Sequence, residues 1–234
     1  MLQIEKLNAW YGSSHVLQDI ALEVNQGEIV CLIGRNGAGK TTTLKTIMGL
    51  MDKARGSVRF KGHELVGKPA HVRFAHGLAY VPEERRIVQG LTVRENLKLG
   101  LVASPERTRE AERIDEIAQI FPRLAERLDQ EGVTMSGGEQ QMLAIARAVI
   151  SKPDLIMLDE PSEGIMPVLV DEMFELFASM KAQGSTILLV EQNVEIALQI
   201  ADRAYIFDQG EVVHHAAAKD LLADKEIQER YCSV

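Results

Sequence analysis

The chain has 234 residues, of which 46% are hydrophobic and 26% charged, a globular composition that argues against a disordered chain. Its net charge of −8 argues against a basic nucleic-acid face and against electrostatic adsorption to anionic lipid. No apolar run approaches the roughly 20 residues that span a bilayer, and the start of the chain carries Glu5 and Lys6 without the apolar core of a signal peptide, so neither a span nor a leader is expected.

In chain order, Leu2, Ile4 and Leu7 and then Ile20, Leu22 and Val24 predict half-buried edge strands, the second set alternating apolar with polar residues. Ile29-Val30-Cys31-Leu32-Ile33 is a continuous apolar run between Gly27 and Gly34, the pattern of a parallel strand covered on both faces. Immediately after it, Gly34-Arg35-Asn36-Gly37-Ala38-Gly39-Lys40-Thr41 fits the phosphate-loop spacing Gly-x4-Gly-Lys-Ser/Thr and opens a helix. The glycines let backbone N–H groups close around phosphate oxygens, Lys40 neutralises phosphate charge, and the Thr41 hydroxyl is suited to Mg²⁺. Chance produces this pattern in a chain this long on the order of one time in a hundred, and the strand–loop–helix context lowers that further.

From about residue 91 to 150 the pattern turns helical, with Ile114, Ile117, Phe121 and Leu124 on one stripe, which predicts an inserted helical lobe. Within it, Met135-Ser136-Gly137-Gly138-Glu139 opens an apolar-striped helix and forms a second glycine-bearing start able to meet an anion. Leu155-Ile156-Met157-Leu158 predicts another buried strand delivering Asp159-Glu160 at its end. Asp159 suits a Mg²⁺ ligand, and Glu160 suits a group that orients or deprotonates water. Ile187-Leu188-Leu189-Val190 predicts a third buried strand, and residues 205–213 a hairpin turning at Asp208-Gln209-Gly210. These units predict one α/β domain over residues 1–234, with a doubly wound, mostly parallel sheet and an N-terminal antiparallel β subdomain. Cys31 lies inside an apolar run and Cys232 at the chain end, so no disulfide is expected, as suits a reducing compartment.

The phosphate loop, Ser136-Gly137-Gly138 and Asp159-Glu160, in this order, resemble the nucleotide-binding domain of the ABC transporter family over essentially the whole chain. That resemblance implies a P-loop fold with an inserted helical lobe, ATP and Mg²⁺ as ligands, and hydrolysis of ATP to ADP. It implies that Tyr11 stacks on adenine, and that Val16, Gly34, Asn36, Gly37, Ala38, Gly39, Lys40, Thr41 and Thr42 hold the nucleotide. Thr41 and Asp159 would hold the metal. Ser136, Gly137 and Gly138 would cover the γ-phosphate of a nucleotide bound to a second, homologous subunit.

Three departures from the family pattern narrow the resemblance. Glu83 stands where Val-Pro-Gln is usual, Met166 stands where the D-loop has aspartate, and Gln192 stands where the family has histidine. Pro82-Glu83, Glu160-Pro161-Ser162-x-Gly164 and Val190-Glu191-Gln192-Asn193 are together similar to the branched-chain amino acid uptake type, and importers of urea or short-chain amides resemble that type closely. The implied partners are permease subunits, a second ATPase subunit (a different chain in the transporter, a copy of this one in isolation) and, indirectly, a periplasmic binding protein. The implied place is the cytoplasmic face of the inner membrane, peripheral, with the isolated subunit soluble. The apolar residues Ile87, Val88 and Leu91 in the segment after Glu83 suit a permease-facing edge.

A P-loop kinase would share the phosphate loop but has no need of Ser136-Gly137-Gly138 opening a helix. An ABC machine acting on nucleic acid would be longer and less acidic. A regulatory ATP-binding domain would be expected to lack Glu160.

Overall fold

The computed structural model describes residues 1–231, apart from the side chains of residues 228 and 229, so Cys232 lies outside the described residues. Two sheets carry the fold. The smaller is antiparallel, ordered β2-β1-β4-β5, from β1 (Leu2–Tyr11), β2 (Ser14–Val24), β4 (Lys53–Phe60) and β5 (His63–Glu64). The larger has six strands ordered β10-β9-β3-β8-β7-β6: β3 (Ile29–Ile33), β6 (Leu78–Val81), β7 (Leu155–Asp159), β8 (Thr186–Val190), β9 (Arg203–Asp208) and β10 (Glu211–Ala217). All its pairings are parallel except β10 with β9.

Between strands run α1 (Lys40–Met48), α2 (Ala70–Ala75), α7 (Pro167–Ala182) and α8 (Val194–Ile200), and after the last strand come α9 (Ala218–Ala223) and α10 (Lys225–Tyr231). The connection from β6 to β7 holds α3 (Val93–Leu99), α4 (Glu110–Ile120), α5 (Pro122–Ala125) and α6 (Gly137–Val149). No helix among the described residues is long and apolar enough to cross a membrane.

Strand period two decides how the core divides. In β3, Ile29, Cys31 and Ile33 face a cluster shared with α6, α7 and the β6–β7 helices, while Val30 and Leu32 face a second cluster shared with α1 and the small sheet. Both faces of the large sheet are covered, which is why its strands read as unbroken apolar runs. The Cys31 thiol is buried, and burial pushes its pKa up.

One expectation needs correction. β1 is no edge strand, because β4 pairs along its outer side and leaves β2 as an edge. β4 escapes sequence reading because Arg55, Gly56 and Arg59 interrupt its apolar residues Ala54, Val58 and Phe60. The predicted hairpin is β9 and β10, with Asp208 opposite Glu211 and a two-residue turn in which Gln209 and Gly210 both have positive φ, 46° and 86°.

Candidate functional site

β3 ends beneath the loop Gly34–Gly39, and this loop runs straight into α1. Gly34 has φ of 144°, and a Cβ there would lie 2.2 Å from the Phe207 carbonyl oxygen, so the loop presses directly on β9. Gly39, at φ of 106°, caps α1 in the left-handed region, with no side chain bonded to the helix start. The positive end of the α1 dipole therefore lies at the end of the loop, without a side-chain cap from Gly39. Asn36 and Gly37 are exposed, whereas Ala38, Lys40 and Thr42 are buried. The Gly210 N–H bonds the Ala38 carbonyl at 3.0 Å and Val16 backs Gly210 and Gly39, so the β9–β10 turn braces the loop. Tyr11 ends β1 opposite Ser14 with its ring about half exposed.

Lys40 Nζ donates to the carbonyls of Gly34 (2.8 Å) and Arg35 (3.1 Å) and stands 4.0 Å from the Glu160 carboxylate. β7 and β3 flank β8 in the large sheet, which brings Asp159 beside the start of α1. The Thr41 hydroxyl donates to Asp159 Oδ1 at 2.8 Å, and the Tyr80 hydroxyl donates to Oδ2 at 2.8 Å. Burial raises the Asp159 carboxyl pKa; these two hydroxyls work against that, and neighbouring Glu160 adds to it. Tyr80, at the end of β6, is pushed well up by burial and by the same carboxylate. Sequence reading passes over Tyr80 as a candidate site residue. Its available signal was an aromatic hydroxyl at a strand end three residues before Glu83.

Glu160 follows β7 with φ of 46°, an uncommon conformation for this residue type, and its N–H bonds the Val190 carbonyl. Gln192 Nε2 donates to Glu160 Oε2 at 2.5 Å. Lys40, Thr41, Asp159, Glu160 and Gln192 thus converge from three separate stretches of chain.

The other predicted residues lie around this cluster. Glu83 is exposed, and slight burial together with the carboxylates of Glu160, Asp159, Glu84 and Glu163 raises its pKa, which puts it within electrostatic reach of the site. Beyond it, Arg85 and Arg86 take positive φ, and Arg147 on α6 donates to both their carbonyls. Ile87 and Leu91 are half-buried and Val88 is exposed. Ser136 caps α6 through a complete capping box with Glu139, and Arg127 lies 3.2 Å from that carboxylate. Gly138 packs so closely that a Cβ would meet the Leu169 side chain at 2.4 Å, while Gly137 lies against the Arg85 guanidinium. Met166 is exposed at the start of α7.

Residues 17–163 match the family model described as ABC transporter. The chain is 45% identical over 231 residues to the high-affinity branched-chain amino acid transport ATP-binding protein BraG of Pseudomonas aeruginosa, covering 99% of each. It is 37% identical to the probable branched-chain amino acid transport ATP-binding protein LivF of Archaeoglobus fulgidus, covering 97% of each. A solved ATP-binding subunit of an ABC transporter superposes with a TM-score of 0.83 at 32% identity, over 98% of this chain and 92% of that one.

Proposed function

The chain belongs to the ABC transporter family as an ATP-binding subunit, and on that premise we propose that it hydrolyses ATP to drive branched-chain amino acid uptake through a separate permease, from the cytoplasmic face of the inner membrane. The observation that carries this reading is the convergence of Lys40, Glu160 and Gln192, next to the Thr41 hydroxyl bonded to Asp159.

In this reading the loop N–H groups and Lys40 hold the β- and γ-phosphates, and Tyr11 supplies an exposed ring for adenine. Thr41 Oγ1 and Asp159 offer hard oxygen donors side by side, the donor set that Mg²⁺ takes. Mg²⁺ held by these oxygens would supply neutralisation of phosphate charge. Glu160 orients a water and accepts its proton, while Gln192 holds the Glu160 carboxylate with one amide hydrogen and keeps a second for a phosphate oxygen. Lys40, spread over two carbonyls and one carboxylate, would turn to a γ-phosphate bound in the loop.

A second ATPase subunit would present its own Ser136–Gly138 start to this phosphate. The permease would seat in the apolar groove between the core and the β6–β7 helices, lined by Met48, Phe74, Pro82 and Leu99. Val88 is exposed on the segment that follows Glu83. The test is uptake of radiolabelled leucine and of urea by cells whose transporter carries Glu160→Gln. Loss of leucine uptake alone supports the reading, and loss of urea uptake alone assigns the chain to the amide class.

A further inference from the structure

Glu191 is 1% exposed, at the end of β8 behind the site. A buried carboxylate is costly unless its oxygens are bonded. Here the Ser162 N–H donates to Oε1 at 3.0 Å, the Ser162 hydroxyl donates to Oε2 at 2.8 Å, and the Gln192 N–H donates to Oε2 at 3.2 Å. Burial still raises this carboxyl pKa overall.

The donors are not scattered. Ser162 lies two residues beyond Glu160, and Gln192 is the residue that meets Glu160. The same two stretches are tied a second time by the Glu160 N–H on the Val190 carbonyl at 2.9 Å. Residues 160–162 and 190–192 therefore form a closed frame, cross-linked at both ends, with the Glu160–Gln192 side-chain contact between the ties. Glu160 sits in that frame at φ of 46°, a backbone state that persists only where its surroundings over-determine it.

We infer that Glu191 is a positioning residue for hydrolysis, which acts through Ser162 and the Gln192 backbone to hold the Glu160 carboxylate and the Gln192 amide in register. This rests on the roles assigned to Glu160 and Gln192 above. An apolar residue at 191 would fill the space but could not accept from both segments at once. Loosening the frame shifts Glu160 relative to its water while leaving the phosphate loop intact, and a misplacement of about 1 Å costs on the order of a hundredfold in rate.

The experiment uses the full chain in its assembled transporter and compares Ser162→Ala, Ser162→Thr and Glu191→Gln with Glu160→Gln, below any melting transition. Measured are kcat, KM for ATP, and affinity for a fluorescent ATP analogue. Ser162→Ala is expected to lower kcat about tenfold with analogue affinity unchanged, because one of three ties is lost. Ser162→Thr, which keeps the hydroxyl, is expected to recover most of that loss. In the Glu160→Gln background Ser162→Ala is expected to cost nothing further, since both changes act on one group. Glu191→Gln keeps the shape but replaces one acceptor oxygen by an amide donor, and it should also lower kcat without weakening binding.

A wild-type kcat for Ser162→Ala, with Glu160→Gln inactive, overturns this inference and spares the site reading. Equal loss of kcat and analogue affinity in Ser162→Ala also overturns it, as general damage. Normal turnover by Glu160→Gln defeats the site reading itself.

Discussion

α1 and α6 both begin on glycine-bearing loops, and they are built in opposite ways. α1 starts at Gly39, which provides no side-chain cap, and Lys40 folds back over the loop carbonyls. α6 starts at Ser136, whose hydroxyl accepts from the Glu139 N–H and donates to the Glu139 carboxylate, while that carboxylate also takes the Ser136 N–H. The positive end of α6 is therefore already met by a negative charge from its own first turn, and the positive end of α1 is not. Glycines at a helix start do not by themselves make an anion site. What marks α1 is the lack of a side-chain cap together with a lysine, a start that an external anion would complete, whereas α6 carries its own capping box.

The largest effects should separate binding from chemistry at α1. Lys40→Ala removes the buried cation of the uncapped start and is expected to weaken ATP binding about a hundredfold, measured by titration with a fluorescent analogue. Glu160→Gln should bind ATP with near wild-type affinity and lose about 10²- to 10⁴-fold in hydrolysis, read in a single-turnover assay. If Lys40→Ala binds normally, the contrast with α6 loses its meaning.

Next in size is Gln192. Gln192→Ala removes the amide that holds Glu160 and should slow single-turnover hydrolysis about tenfold with little change in ATP affinity. Gln192→His should be tolerated and acquire a pH dependence near neutrality that the parent lacks, because an imidazole titrates there and an amide does not. The assay requires the other ATP site of the transporter to be disabled. Unchanged rates for Gln192→Ala would leave this residue as an ordinary loop contact.

The same two helix starts show how far the sequence could be read. The α1 loop was legible because its spacing is dense and local, and β3, β7 and β8 were legible because a strand covered on both faces is apolar throughout. β6 was hidden by being four residues long, and β4 by its charges. Tyr80 and Glu191 escaped as site residues because their partners, Asp159 and Ser162, are 79 and 29 positions away, and no periodicity encodes a hydrogen bond between strand ends. The positive φ at Arg85 and Arg86 left no trace either, since arginine is not a residue type that announces that conformation.

At α6 the effects should appear first as stability. Ser136→Ala deletes the capping hydroxyl and is expected to cost about 1 kcal/mol in the nucleotide-free protein, measured by urea unfolding. ATP added to that variant should recover stability through α1 alone, as it does in the parent, if the two starts are independent within one subunit.

The smallest effect, and the sharpest test of the contrast, lies at Glu139. Its carboxyl is held below the ordinary value of 4.5, first by the Ser136 hydroxyl, against partial burial, and then by the Ser136 N–H and by Arg127. Because the folded pKa is the lower one, the stabilisation is present above the unfolded value and is lost as pH falls through the folded value. Glutamine at this position still completes a capping box, so Glu139→Gln should keep the helix start and lose only the charge–dipole part, about 0.5 kcal/mol at neutral pH. Below pH 4.5 the variant and parent should converge in unfolding free energy. The charge has a second consequence if α6 faces the γ-phosphate held by another subunit. Removing it would bring the α6 start closer to the α1 design, an N-terminus whose field is left for an outside anion. ATP-dependent dimerisation of Glu160→Gln should then tighten when Glu139→Gln is added, measured by sedimentation across a range of protein concentrations. Identical dimerisation in the two backgrounds would mean that the α6 start never meets the phosphate, and that its capping box serves the helix alone.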